Sequence, residues 1–381
     1  MNRIEKLIAE LCPEGVEWKK LGEVCEHKRG TSITKEQINE GNIPVIAGGR
    51  KPAYFHNEYN RQGETIVIAG SGAYAGYVSY WNQPIFVSDA FSIHPNEKFL
   101  LIKYVYYFLL NKQEIIHQKK KGSGVPHVYF ADIANIPIPI PPLPIQEEIV
   151  KILDTFTELE AELEAELEAR KKQYEYYRNK LLTPVKHNGR WYLNGKEVEW
   201  KKLGEVCETQ RGRVISKEDL KKNVGIYPVY SSQTTNNGEI GKINTFDFDG
   251  EFVTWTTDGA NAGTVFHRNG RFSITNVCGL IKIKDTKILN YKFLYYWLSI
   301  EAKKHVYYGM GNPKLMSNQV NQIPIPIPPL SEQERIVAIL DKFDALVNDL
   351  ISGLPAEIGA WRKQYEYCRN KLLQFPPFQK C

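Results

Sequence analysis

The chain has 381 residues, enough for two or three domains, and its 42% hydrophobic and 24% charged residues are those of a globular protein with substantial cores. Lys+Arg 49 against Asp+Glu 44 leaves a net charge of +5, mildly basic, which favours a polyanionic partner without naming one. The 6 cysteines lie far apart with no CxxC pair, which argues against a disulfide framework or a cysteine zinc site and points to a reducing cytoplasm.

Residues 1–11 alternate charged and apolar positions, which predicts a short amphipathic arm rather than a signal peptide. No run approaches the roughly 18 apolar residues of a membrane span, so no membrane partner is expected. Short β-branched or aromatic runs at 43–46, 65–69 and 76–80, bounded by Gly, Asn and Pro, predict strands. A helix is expected near 102–110, where apolar residues recur at three and four. Ile136-Pro137-Ile138-Pro139-Ile140-Pro141-Pro142 then forms a stiff extended strap, because proline fixes φ and biases its predecessor. An SH3 or WW ligand is the other reading of that motif, but its place at the junction into a helix favours the strap.

The next segment, 145–182, has no internal glycine or proline. Its apolar seam includes Ile149, Leu153, Phe156, Leu159, Leu163 and Leu167, and it passes from acidic to basic, which suits the helix dipole. As a helix it would be roughly 57 Å long. Strands are predicted again at 227–230, 251–255 and 279–283, and a helix at 292–302. A second strap, 323–329, leads into Ser331-Glu332-Gln333-Glu334, which reads as a capping box. The helix that follows is interrupted at Gly353-Leu354-Pro355. A kink or restart is expected there, with Pro355 at the first helical position.

The chain is written twice. Val16-Glu17-Trp18-Lys19-Lys20-Leu21-Gly22-Glu23-Val24-Cys25-Glu26 returns letter for letter at 198–208, the strap 136–143 returns at 323–330, and Lys172-Gln173-Tyr174-Glu175-Tyr176 returns at 363–367. Between these blocks the halves diverge, with weaker echoes at 72–76 against 259–263 and at 121–124 against 308–311. The expected fold is α+β: two pseudo-twofold-related β-rich heads joined by a long antiparallel two-helix coiled-coil spacer. The expected layout is an arm over 1–16, a first head over 17–143, a spacer helix over 144–182, a second head over 183–330 and a second spacer helix over 331–381.

Catalytic signatures are missing. There is no GxxxxGK[ST] phosphate loop, no convincing GxGxxG after a strand, no Asn- or Asp-Pro-Pro-Tyr, and no histidine pair at metal-ligand spacing. Glu17-Trp18-Lys19 and Glu199-Trp200-Lys201 resemble part of a nuclease motif, but no suitably placed acidic partner precedes the first; Trp18 and Trp200 read better as packing residues. No catalytic residue, metal or bound cofactor is expected, which leaves a binding protein.

Each head carries a glycine-rich loop flanked by cations or aromatics. The first has Lys119, Lys120, Lys121, Ser123 and His127; the second has Tyr307, Tyr308, Asn312 and Lys314. Lysines neutralise phosphates and glycines admit a duplex closely, although a lysine run is often only a solvated face. Arg29, Arg211 and Arg213 add cations able to read guanine. Further DNA-contact candidates are Arg50, Lys51, Ser71 and Tyr74 in the first head, and Gln233 and Asn261 in the second.

The paired Trp-Lys-Lys-Leu-Gly-Glu-Val segments, the paired Ile-Pro-Pro-Leu exits with Gln-Glu-Glu-Ile-Val or Gln-Glu-Arg-Ile-Val, and the paired Lys-Gln-Tyr-Glu-Tyr helix ends carry a resemblance over essentially the whole chain. It resembles the DNA-specificity subunit of type I restriction-modification enzymes. That resemblance implies a non-catalytic subunit whose target recognition domains each read half of a bipartite, asymmetric site in double-stranded DNA. It further implies helices that dock two adenine-methylating modification subunits, with Phe156, Tyr174, Tyr177, Phe343, Trp361 and Tyr365 as candidate docking residues. Restriction subunits would join them. S-adenosylmethionine, ATP and Mg²⁺ would sit on the partners, in the cytoplasm. The alternative is a coiled-coil scaffold whose β-rich heads bind protein or glycan. A fused methyltransferase would need a cofactor domain for which the chain has no room.

One further pattern concerns length. Glu158-Leu159-Glu160-Ala161, Glu162-Leu163-Glu164-Ala165 and Glu166-Leu167-Glu168-Ala169 are tandem copies of one unit. They are good helix formers and nothing more, or they are a ruler. Each unit adds about 6 Å and turns the helix by about 400°, so the apolar seam nearly keeps its register.

Overall fold

The computed structural model describes residues 3–122, 124–309, 311–349 and 352–377. The fold is α+β, as expected, and divides into two compact units. One comprises residues 1–164 with 357–381; the other comprises residues 165–356. The long helix, Leu143–Leu181, runs unbroken for 39 residues.

In the first unit the inbound strand Glu17–Lys20 pairs antiparallel with the outbound strand Pro137–Ile140, Trp18 facing Pro139 and Lys20 facing Pro137. The proline strap is therefore half of a two-stranded ribbon. Prolines two residues apart fall on the side of the strand where no ladder N–H is required. Beyond the ribbon, Cys25–Arg29, Ala90–Pro95, Glu64–Ala69 and Val78–Asn82 form an antiparallel sheet in that order. The last strand begins two residues later than the sequence suggests. A smaller sheet holds Tyr54–His56, Ile43–Ile46 and Phe86–Val87. Helix Ile102–Asn111 buries Tyr104, Val105 and Phe108 in a core with Ile66, Ile68 and Ile93. Ile149 and Leu153 of the long helix and Leu373 and Phe375 complete that core.

The second unit repeats the plan. Glu199–Lys202 pairs with Pro324–Ile327, Trp200 facing Pro326. One sheet runs in the order Cys207–Arg211, Cys278–Ile283, Phe248–Thr256, Val265–Ile274, Val224–Tyr230, Glu239–Ile243. Helix Tyr291–Glu301 packs Phe293, Leu294 and Trp297 with Trp255, Ile336 and Leu340. Ahead of the ribbon stands a small meander of Val185–His187, Arg190–Leu193 and Lys196–Glu197. Its turns are Asn188-Gly189 and Asn194-Gly195, all four residues at positive φ between 47 and 81. This is the type I′ hairpin chemistry of Asn-Gly.

Each head is fastened to its helix by the same two contacts. Gln146, 0% exposed, accepts from Leu101 N–H (2.9 Å) and donates to Phe99 O and Pro141 O (both 2.7 Å). Gln333, also 0% exposed, accepts from Asn290 N–H (2.9 Å) and donates to Ile288 O (2.8 Å) and Pro328 O (2.9 Å). About two turns of helix further on, Asp154 accepts from Tyr107 Oη (2.6 Å) and Lys103 Nζ (2.7 Å), and Asp341 from Tyr296 Oη (2.7 Å) and Lys292 Nζ (2.5 Å).

The helical segments pair within each unit. Trp361 and Tyr365, on helix Leu354–Leu372, place their rings 4.8 and 5.9 Å from Phe156. Trp361 Nε1 donates to Phe156 O at 3.0 Å, and Arg362 pairs with Glu160 (2.6 Å) and Glu164. In the second unit Phe343 stands 6.4 Å from Tyr174 and 5.5 Å from Tyr177. The helix carrying Phe343, Leu330–Asn348, begins one residue before the expected capping box, with Pro329 as N-cap and no side-chain cap bond. Ser331 thus lies inside the helix rather than at its N-cap, and the box does not form. After the interruption the helix resumes at Leu354, which puts Pro355 second rather than first.

Replacing Gln146 or Gln333 by Leu leaves one N–H and two carbonyls without their side-chain partner. At about 1–3 kcal/mol per stranded group, each change should destabilise its own unit by at least about 3 kcal/mol. Denaturant unfolding measures this, and amide exchange locates the loss in the affected unit.

Candidate nucleic-acid interface

The turn 70–76 organises one end of the first head. Gly72 and Gly76 both sit at φ 82, a left-handed value that costs glycine nothing. Gly76 N–H donates to Ala69 O (2.7 Å) and Ala75 N–H to Gly72 O (3.0 Å), which closes the turn. The loop 119–128 folds back over it: Gly72 N–H donates to Pro126 O (2.9 Å), Val128 N–H to Gly70 O (3.0 Å), and Lys121 and His127 exchange bonds of 2.9 and 2.8 Å.

The second head builds the same backbone frame from other residues. Gly263 N–H donates to Thr256 O and Ala262 N–H to Gly259 O, both at 2.9 Å. Gly259 N–H donates to Pro313 O (3.0 Å), Leu315 N–H to Thr257 O (2.9 Å), and Tyr307 and Lys314 exchange bonds of 2.8 and 3.1 Å. The partner of Lys121 is thus Tyr307, not Tyr308 as the glycine echo suggests. The second loop holds one more residue between its closing pair.

On this frame the first head sets Arg29, at the end of its strand, beside an open cleft of about 1040 Å³ that Asp89, His127 and Tyr129 also line. A Cβ on Gly30 would stand 1.9 Å from Ser88 O, so glycine alone lets the chain turn off the strand there. The Arg50 guanidinium lies 4.9 Å from the centroid of the Tyr74 ring. Lys120 Nζ donates to Ala73 O at 2.9 Å, Lys121 pairs with Asp132, and Ser71 Oγ donates to Asp89. Burial would raise the Asp132 carboxyl, but the Lys121 ammonium and the Tyr129 N–H outweigh it and hold the group below its ordinary value. The His127 and Tyr129 rings lie parallel, 5.9 Å apart. Lys51 and Lys119 are exposed, and Ser123 lies outside the described residues.

In the second head Arg211 ends the matching strand, its Nη2 3.3 Å from Thr257 Oγ1 and 3.4 Å from Asp258 Oδ2. Tyr307, Tyr308 (74% exposed), Asn312 and Lys314 present their side chains from the loop above it. Asn261 belongs to the turn and accepts at its carbonyl from Thr264 N–H (3.0 Å). Arg213 turns away to Asp247 (3.0 Å), and Gln233 clasps its own turn by donating to Glu239 O (2.6 Å), so neither joins this cluster. Asp89, Tyr129 and Asp258 escaped the sequence reading, since only the folded chain brings them beside the arginines.

The six docking candidates supply the rings that hold the helical segments together within each unit. The matching residues that stay outward are Tyr176 and Tyr367, 60% and 65% exposed. Glu17 and Glu199 pair with Lys19 and Lys201, both at 3.3 Å. Among the described residues no group of three or more His, Cys, Asp or Glu side chains could hold a metal ion, and no helix is long and apolar enough to cross a membrane.

The model of the type I restriction modification DNA specificity domain matches this chain twice, over residues 13–169 and 195–360. The chain belongs to that family. Among its relatives, the specificity subunit of the type I restriction enzyme MpnII of Mycoplasma pneumoniae is 38% identical over 312 residues, covering 67% of this chain and 94% of its own. A Haemophilus influenzae protein provisionally named a type I restriction enzyme specificity subunit is 33% identical over 386 residues, 94% of this chain and 96% of its own. The crystal structure of a type I S subunit from M. genitalium shares the fold at a TM-score of 0.63 and 19% identity, covering 94% of this chain and 96% of that one.

For a DNA specificity protein the cations on the frame predict a measurable salt dependence. Changing Lys119, Lys120 and Lys121 together to Ala should lower the slope of log affinity against log salt by up to about three. Lys121→Ala alone should lower it less than Lys119→Ala, because Lys121 already neutralises Asp132. DNA titrations over a salt series check both, and an unchanged slope would make the lysines a solvated face.

Proposed function

We propose that this chain is the non-catalytic reader of a type I restriction-modification complex, each head reading one half of a bipartite, asymmetric site in double-stranded DNA. The observation that carries this reading is the frame common to both heads. Equivalent backbone bonds close the turns 70–76 and 256–264, while the exposed groups upon them differ: Arg29, Arg50 and Lys119 against Tyr307, Tyr308 and Lys314. One scaffold with two sets of side chains suits two different half-sites. Two identical modification subunits dock on the repeated helix ends, where Tyr176 and Tyr367 recur at matching places in the repeat and are both exposed. Those subunits carry S-adenosylmethionine, and restriction subunits bring the ATP and Mg²⁺ sites of motor and nuclease.

Because each head enters and leaves through its own ribbon, exchanging residues 17–143 for those of another family member should change one half-site only. Mapping the methylated bases produced by the chimera tests this, and alteration of both halves would refute independent reading.

The helix Leu143–Leu181 continues without a break across all three Glu-Leu-Glu-Ala units. We read them as a ruler. Deleting one unit removes about 6 Å of helix, and duplex DNA rises about 3.4 Å per base pair. Both half-sites should survive while their separation shortens by one base pair, and by no more than two. A deletion of three or five residues rotates the seam by about 60° or 140° and should unfold the helix pair. Methylation mapping of the deletion mutant decides; a stable, active mutant with unchanged spacing sinks the ruler.

A further inference from the structure

Arg61 is 6% exposed, and among the described residues no carboxylate pairs with it. Every bond it makes goes to a neutral group. Its Nε donates to Ser92 Oγ (2.7 Å), its Nη1 to Asn60 O (2.7 Å), and its Nη2 to Lys28 O (3.0 Å) and Arg29 O (2.9 Å). The segment that carries it is itself anchored: Arg61 N–H donates to Ile85 O at 3.1 Å, and the Asn60 amide brackets Val87, donating to its carbonyl (2.8 Å) and accepting from its N–H (2.7 Å). On the far side of Arg29, Gly30 N–H donates to Ala90 O (2.8 Å) and Thr31 N–H to Val87 O (2.9 Å). The peptide planes around Arg29 are thus held from both sides.

The second head orients its arginine differently. There Asp258 and Thr257 meet the Arg211 guanidinium directly. The residue in the place of Asp258 in the first head is Ser71, whose hydroxyl is spent on Asp89. With no carboxylate on its turn to aim the side chain, the first head is left to aim Arg29 through the main chain. A guanidinium's rigid fork spreads its donors over three nitrogens in fixed directions, whereas an ammonium donates from a single atom and cannot reach acceptors so far apart. Burying that cation without an anion is costly, and the cost is offset when a polyanion covers the surface.

We propose that Arg61 is a positioning residue for DNA reading by the first head: it fixes the main chain at Lys28 and Arg29 so that Arg29 meets its base in a preset orientation. The proposal rests on the DNA-reading function argued above. Its test uses the chain assembled with its modification subunits and duplexes bearing single base changes in either half-site. Arg61→Lys keeps the charge but cannot span the acceptors, and should weaken binding of the native site by about ten- to a hundredfold, the effect expected of losing one bidentate base contact. Discrimination should be lost in the first half only. Arg29→Ala should do the same, and the double variant should be no weaker than Arg29→Ala alone.

Additive losses, or unaltered discrimination in Arg61→Lys, would overturn the proposal. If Arg61→Lys lowers the melting temperature enough to prevent assembly, Ser92→Ala decides: it removes the Nε contact, together with the hydroxyl's bonds to Lys28 O (3.3 Å) and His94 Nε2 (2.9 Å), and leaves all the Nη bonds of Arg61 in place. A smaller loss of discrimination confined to the first half supports the proposal, and none at all refutes it. A native complex indifferent to changes in both halves would instead refute the bipartite reading on which the proposal stands.

Discussion

A domain spliced into a helical framework must return its chain to the point where it left. Here that constraint is met by a ribbon of four residues on each side, Glu17–Lys20 against Pro137–Ile140 and Glu199–Lys202 against Pro324–Ile327. The bond from Leu21 N–H to Ile136 O, and from Leu203 N–H to Ile323 O, both 2.9 Å, carries each ribbon into its head. The buried glutamines then hold the root of the head to the first turns of its helix. Since the ribbon and the glutamine close the structure at its base, the loops at the far end are free to diverge without loosening the attachment.

The two heads show what such freedom permits. Their turns share bonds donor for donor, yet the sheets behind them differ: the first head has two small sheets where the second has one of six strands. One loop is a residue longer than its counterpart, and one arginine is aimed by a carboxylate where the other is held through its peptide planes. Backbone hydrogen bonds depend little on side-chain identity, which is why the frame persists while the groups it presents change.

Much of this was legible in the sequence because repetition exposes what a single copy hides. The ribbons, the helix ends and the head boundaries all lie in blocks that recur. The proline strap was recognisable as extended, but pairing between residues more than a hundred positions apart cannot be read from local pattern. The Asn-Gly turns at 188–189 and 194–195 were readable and were missed, their strands being too short and polar to stand out. Ser331 to Glu334 has the letters of a capping box, but the helix starts one residue earlier and takes Ser331 inside it. Rings such as Phe156 and Trp361 pack on each other in the fold, a pairing that their spacing along the chain does not specify. Arg61 carried no signal at all. Its role depends on carbonyls about thirty positions away and on a hydroxyl about as far in the other direction.

The core of the first unit includes Leu373 and Phe375, and Val16 N–H donates to Pro376 O at 3.1 Å. Gly15 is confined there as well, since a Cβ would stand 2.7 Å from that same carbonyl. The ribosome makes those residues only after the whole second head. The first unit is therefore the last to be completed, although its synthesis begins first. Its core gains Leu373 and Phe375 only after the second head has been made, whereas the second unit has all its residues once the chain reaches 356.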